Sequence, residues 1–581
     1  MSATLDDTTP LVREPIPLPV QPPPGYWIRE ATHAPLPWTT LTDVVLGEAV
    51  PRGMQRMYAE FGVPFQTLEY RKIGGWDYVR LVPLGGKQPP PLPAWLAALM
   101  LPVVPAVRRR SRSAVAAIRS DLAGTLIRRW AAEWRPELIA RTAELREVDA
   151  AQLDDAGLDE HLGRVIALVE DGLMVHFRLH GPLMVALADL AFTCRDLLGW
   201  DETQVFRLLV GTSRMSTAPA RELAALAATA ARRPKVRRLI EDDVPLPEVL
   251  FADHTFAAEF AAYLREYGCR ALSYEVADPC LDDQPGLVLA LVRDQLRTGY
   301  DPDATDESNR AGRAASRAEA GRLLAARSAA DRRRFERALE RALLAYPVRE
   351  DNEFHTFSAP QGLLHRTVLE IGRRLAGRGL LDTSEDVFHL VPDQLRTALR
   401  EGLDCRAGTS TRAAERAWAI AHPGPASFGP PPGPPPSLRW LPAEARLVTE
   451  ATGWMFEQAF GTESRASTGQ PAAEATLIPG VGASPGRYTG PARIIRGESE
   501  FDRLQPGDVL VCQATSPVWS VLFAGIGALV ADGGGLLSHQ AIIAREYGVP
   551  AVVGTHDGTT RLTDGQLVTV DGTAGTVQVR R

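Results

Sequence analysis

A short apolar run, Ile526-Gly527-Ala528-Leu529-Val530-Ala531, is followed by Asp532, three glycines and a segment with helical spacing that ends at Gly548-Val549-Pro550. This order allows little besides a buried strand, a tight glycine loop and a helix. Ser538 stands at the N-cap position, Gly548 at C′ and Pro550 just beyond, so both ends of the helix are marked. His539 falls in the first turn, where backbone N–H groups are unpaired and the helix dipole favours negative charge. A phosphoryl group carried on its imidazole would sit where the backbone can hold it. That suits a phosphorylated histidine better than a metal ligand, and no metal site is expected. Gly533, Gly534, Gly535 and Ser538 are the phosphate-binding candidates. Arg545 is a further one, with an exposed, solvated arginine as its alternative. Ile542, Ile543 and Glu546 share the histidine's face, the isoleucines as core and docking surface. The plain alternatives are a locally satisfied helix-terminal histidine and a simple glycine turn.

The stretch Gly533 to Pro550, with Ala551-Val552-Val553-Gly554 after it, resembles the phosphohistidine (swivelling) domain of the PEP-utilising enzymes. Ala483-Ser484-Pro485-Gly486, Pro506-Gly507-Asp508-Val509-Leu510 and Ala514-Thr515-Ser516-Pro517-Val518-Trp519 belong to the same resemblance. So do Asp564-Gly565-Gln566 and Val570-Asp571-Gly572. The resemblance implies that His539 accepts a phosphoryl group and passes it on. Leu537 stands where a threonine is usual in that family, and Gln540 where an alanine is usual.

With 581 residues the chain is long enough for several cores. Its formal charge of −7 gives no reason to expect a nucleic-acid partner. The five scattered cysteines predict neither a disulfide framework nor a zinc site and fit a reducing cytoplasm. No secretory signal is visible, and the apolar stretch from Trp95 to Val107 is too short to span a bilayer. The expectation is a cytoplasmic, multidomain chain: a large, mainly α-helical domain followed by a small β/α phosphohistidine domain. Residues 1–24 read as a disordered Pro-rich arm, 25–461 as the helical acceptor-binding domain with an extended Pro-rich connector at 422–436, 462–475 as a flexible linker and 476–581 as the histidine domain. Long helices are predicted over Leu158 to Leu198, Asp201 to Arg233 and Ser308 to Tyr346, and strands around Phe65 to Pro83.

In the helical region Tyr267-Gly268-Cys269-Arg270 with Asp278-Pro279, Arg349-Glu350, Gly372-Arg373-Arg374-Leu375 and Glu385 to Leu390 are similar to the acceptor-binding domain of rifampicin phosphotransferase. Cys269 stands where that family has a histidine. The implied acceptor-site candidates are Arg270, Glu275, Arg349, Glu350 and His355. His176 and His180, spaced i, i+4, could bind metal or substrate, or simply line a helix interface. No Gly-rich loop with a phosphate-facing lysine is present, and lysine occurs only at Lys72, Lys87 and Lys235. The expectation is therefore that ATP and Mg²⁺ are bound by a separate ATP-grasp subunit, an arrangement that resembles phenylphosphate synthase. That partner would phosphorylate His539, with ATP going to AMP and phosphate. The histidine would then phosphorylate a hydroxyl of a small molecule, which can also prepare that hydroxyl for elimination. The alternatives are a non-catalytic phosphohistidine carrier or regulator and a purely structural protein.

Overall fold

A computed structural model describes residues 21–86, 96, 100–432, 437–460 and 477–580. The helical region is organised around one 44-residue helix, Asp155–Leu198. Asp154 caps its start by accepting from the Gly157 N–H, and Gly199 closes it in the left-handed conformation. At about 1.5 Å per residue it extends roughly 66 Å, enough to serve as a spine. The helices Thr40–Phe61 and Ala443–Phe460 lie along it. So does a nearly continuous helical rod made of Val348–Glu353, a π-helical turn at Phe354–Ser358 and Ala359–Gly377. The rod approaches the spine so closely that a Cβ at Gly172 would lie 2.3 Å from the Thr356 carbonyl oxygen, and only glycine fits there.

At one side of these helices β1 (Trp27–Arg29), β2 (Phe65–Ile73), β3 (Trp76–Pro83) and β4 (Ser427–Phe428) form a small sheet in the order β2-β3-β1-β4. The β2–β3 hairpin is the strand-like region expected from the sequence. The described part of the Pro-rich connector is tied to this sheet. Ser427–Phe428 pairs with β1, Pro425 O accepts from the Tyr78 hydroxyl at 2.7 Å, and Gly424 O accepts from Arg29 at 3.1 Å. Residues 433–436 of the connector, all of the expected linker 462–475 and residues 1–20 of the expected arm lie outside the described residues. Two expected long helices are each divided. Glu202–Phe206 and Arg214–Ala231 are separated by a turn holding Gly211 at φ 73°. Pro302–Leu324 and Ala329–Ala345 are separated at Ser328, whose capping box with Asp331 starts a new helix.

The C-terminal unit is built on eight strands in the order β5-β12-β11-β7-β8-β9-β10-β6. They are β5 (Leu477–Pro479), β6 (Val481–Ser484), β7 (Arg487–Ile494), β8 (Val509–Cys512), β9 (Ala528–Ala531), β10 (Ala551–Val553), β11 (Leu567–Asp571) and β12 (Thr576–Val579). β7 to β10 run parallel, and the flanking pairs are antiparallel. All residues of β8, β9 and β10 are buried, as the apolar runs require of a covered parallel core. This β/α unit after a large helical region is the fold class expected. No helix among the described residues is long and apolar enough to cross a membrane.

The histidine helix His539–Tyr547 has every residue buried, because it lies between its own sheet and the helical region. Across that junction Glu546 accepts from the Gly211 N–H at 3.0 Å, Asn309 donates to the Glu546 carbonyl at 2.7 Å, and the Leu537 N–H donates to Gln458 O at 3.0 Å. Thr203 donates to Gly482 O at 3.2 Å. The C-terminal unit is thus docked on the helical region with His539 at the contact.

Candidate active site

β9 ends at Ala531, and the chain turns through Asp532 and the three glycines into the histidine helix. Asp532 anchors the turn by accepting from the Thr555 hydroxyl and the Thr559 N–H, at 3.0 and 3.1 Å. Gly534 has φ +89°, and a Cβ there would strike Gln540 and Ser538. A Cβ on Gly535 would lie 2.4 Å from Gln458 O, so this glycine is where the helix Ala443–Phe460 meets the loop. The Gly533 N–H is given to Gln513 O at 2.9 Å and is not free for a phosphate in this arrangement. Ser538 occupies the N-cap as expected, but its hydroxyl donates to Gly535 O at 2.7 Å and caps nothing. Gln540 braces the loop instead, through Gly533 O at 3.1 Å.

Arg545 is a correction. It is buried rather than solvated, donates to Ala483 O and Leu536 O at 3.0 and 2.6 Å, and lies over the Phe206 ring at 4.7 Å. Its guanidinium ties the histidine helix to the β6 strand and the loop, which directs it away from a phosphate-holding role.

His539 itself is buried, with Nδ1 2.8 Å from Glu350 Oε2. The two atoms are in ion-pair contact although the carboxylate lies off the hydrogen-bond direction, and Nε2 is buried with no partner. Burial alone would raise the Glu350 carboxyl. His539, then Arg349 and Arg270, outweigh burial and hold it below its ordinary value, as a carboxylate. Arg349 Nε stands 4.0 Å from the other oxygen, Glu350 Oε1. Arg270 is buried beneath this group, over the Phe354 ring at 5.4 Å, with Nε and Nη1 unpartnered. Two arginines and a histidine therefore gather around one carboxylate.

His539, Arg349 and Glu350 stand in the wall of a cavity of about 170 Å³. The rest of the wall is mostly apolar and comes from distant segments: Trp38, Val50, Met54, Met57, Leu68, Phe177, Leu183, Met184, Phe357, Met455 and Phe456. His176 and His180 also line it, their rings 4.8 Å apart. Burial, reinforced by Arg349, holds His176 well below its ordinary value and His180 down to about 3, so both are neutral near pH 7. His176 Nδ1 contacts the Thr356 hydroxyl at 3.0 Å.

Two other expected site residues stand apart. Glu275 accepts from the Thr39 N–H and hydroxyl, both at 2.7 Å, and from the Thr42 hydroxyl and the Ala277 N–H, which pins the start of the helix Thr40–Phe61. Its carboxylate is committed to the fold. His355 lies on the side of the rod toward Asp351, 3.6 Å away, and is absent from the cavity wall. Burial lowers it to about 4.

One wall residue the sequence reading did not single out is Glu353. Burial pushes its carboxyl up to about 8, with Glu350 adding to the rise and Arg270 and Arg349 opposing it. Neither oxygen has a partner. Its position three residues after Glu350 on the same helix was the available signal.

Residues 504–575 match the PEP-utilising enzyme mobile domain, and residues 178–350 the fourth domain of rifampicin phosphotransferase. The C-terminal unit thus contains a segment similar to the mobile domain of the PEP-utilising enzymes. The second match contains Arg270 and ends on Glu350, so the pair that meets at 2.8 Å joins one matched segment to the other. Over 571 residues, 95% of the chain, it is 30% identical to chondramide synthase of Chondromyces crocatus, of which this covers 14%. Over 416 residues, 70% of the chain, it is 30% identical to the uncharacterized phosphotransferase YvkC of Bacillus subtilis, covering 47% of it. A rifampicin phosphotransferase of Streptomyces sviceus is 29% identical over 349 residues, 58% of the chain and 36% of that protein. The chain thus spans less than half the length of each of these relatives.

Proposed function

We propose that these residues form the acceptor-side half of a dikinase-type phosphotransferase, in which His539 carries a phosphoryl group to a hydroxyl of a small molecule. The observation that carries this reading is the docking of His539 against Glu350 at the wall of a cavity. Nδ1 is in ion-pair contact with a carboxylate, which leaves Nε2 as the nitrogen to bear the phosphoryl group. A proton on Nδ1 facing Glu350 makes the imidazole a neutral leaving group when the N–P bond breaks. Arg349 and the unpartnered donors of Arg270 supply positive charge close to where the phosphoryl group moves.

The phosphoryl donor in this proposal is ATP on an ATP-grasp subunit outside these residues. Among the described residues no cluster of three or more His, Cys, Asp or Glu is arranged to hold a metal ion. Movement of the histidine domain between the two sites is part of the same proposal. A pure carrier is the rival reading, and the cavity beside His539 favours an acceptor site over it.

The test is incorporation of label from β-labelled ATP in the presence of an ATP-grasp partner, in wild type and in His539→Ala. Acid-labile, base-stable label on the wild type and none on the variant is expected. Equal labelling of the two would remove His539 from the pathway.

A further inference from the structure

We propose that Glu353 is the catalytic base that takes the proton of the acceptor hydroxyl, and that the acceptor is a compact, uncharged alcohol. This rests on the phosphohistidine reading above.

Glu350 and Glu353 lie three residues apart on the helix Val348–Glu353 and so share one face. Both stand in the cavity wall with His539. Glu350 is in ion-pair contact with the imidazole at 2.8 Å and with Arg349 at 4.0 Å, whereas both Glu353 oxygens are buried with neither a hydrogen-bond donor nor such a contact among the described residues. Such a pair is rare in a folded protein and points to a missing partner. A hydroxyl bound in the cavity is a donor of the right kind, and it would place its oxygen beside the histidine that holds the phosphoryl group.

The cavity also limits what can carry that hydroxyl. Its wall offers methionine, leucine, valine and aromatic side chains. Arg349, the arginine in the wall, lies 4.0 Å from Glu350, and His176 and His180 are uncharged, so the wall itself is a poor host for an anionic acceptor. Its volume of about 170 Å³ is that of a single-ring ligand; an engineered apolar cavity of about 150 Å³ binds benzene.

The step balances within these groups. The hydroxyl oxygen forms a bond to phosphorus while the phosphorus–Nε2 bond breaks and its electron pair returns to the ring. The hydroxyl proton passes to the Glu353 carboxylate, and the Nδ1 proton stays facing Glu350. The groups facing Glu353 are Arg270, Arg349, Glu350 and Tyr274. Because burial pushes its carboxyl up to about 8, its basic form grows as pH rises to that value, and transfer should climb with it.

The experiment phosphorylates the full chain with phosphoramidate, removes the reagent, and adds benzyl alcohol or its charged analogue 4-(hydroxymethyl)benzoate. Phosphorus NMR then follows the phosphohistidine and ester signals. Wild type should form benzyl phosphate, faster as pH rises toward about 8, and little ester from the carboxylate. Glu353→Gln should keep the phosphohistidine signal and lose ester formation about 100-fold or more, while Glu353→Asp should recover part of the rate. Benzyl phosphate formation by Glu353→Gln at the wild-type rate would overturn the base assignment. Preference for the charged analogue, or no ester from benzyl alcohol, would overturn the acceptor class. Failure of wild type to form phosphohistidine would instead overturn the underlying reading.

Discussion

The histidine helix and the cavity it faces take their information from the chain in different ways. The helix His539–Tyr547 is bounded by a glycine loop on one side and Gly548 on the other, all within sixteen residues. The cavity wall draws on segments from His33 to Phe456 before it reaches His539. The first is specified by local backbone chemistry, and single residues such as Gly535 are fixed by what touches them. The second exists only because four helices and a sheet edge pack around the spine Asp155–Leu198. Chemistry is local on one side of the transfer and assembled on the other.

That difference can be broken first at the contact itself. Glu350→Gln removes the charge beside Nδ1 and should lower transfer from phosphohistidine to an alcohol about 10²–10³-fold. Labelling of His539 should persist, and a chase of pre-labelled protein separates the two. Met455→Trp acts on the assembled side alone: it fills the cavity, and should raise the KM for the acceptor roughly tenfold or more while the His539 label is unchanged in steady-state and labelling assays. Gly535→Ala forces a Cβ toward Gln458 O and should weaken docking by about 1–3 kcal/mol, read as a larger radius of gyration in small-angle scattering.

The smallest effect is pH-dependent docking. Burial, with Glu350 adding, raises Glu546 from 4.5 to about 8 against the Gly211 N–H, Arg545 and Arg313. The docked state therefore binds a proton that the freed carboxylate releases. This contribution is full below 4.5 and is lost as pH rises through about 8. Scattering should show progressive opening over that window in wild type and a flatter profile in Glu546→Gln.

The sequence made the histidine helix legible to its end residues, because Gly548 and Pro550 are backbone signals that tertiary packing does not override. It also marked Arg349-Glu350 and Arg270, which the fold brings around His539. It misjudged Arg545, whose burial over Phe206 depends on where the helical region docks. Glu275 and His355 were misjudged for a similar reason. A carboxylate that caps a helix start and one that faces a ligand look alike until Thr39 and Thr42 are seen to fold against it. Glu353 went unnoticed because its unpartnered oxygens are a property of the packed cavity.

The most direct test of the central claim is the identity of the phosphorylated nitrogen. Phosphorus–nitrogen correlated NMR on ¹⁵N-histidine-labelled protein, phosphorylated by its donor or by phosphoramidate, should show a single phosphohistidine bonded through Nε2 and absent from His539→Ala. Phosphorylation at Nδ1, the nitrogen that faces Glu350, or a signal that survives in the variant, would contradict the account.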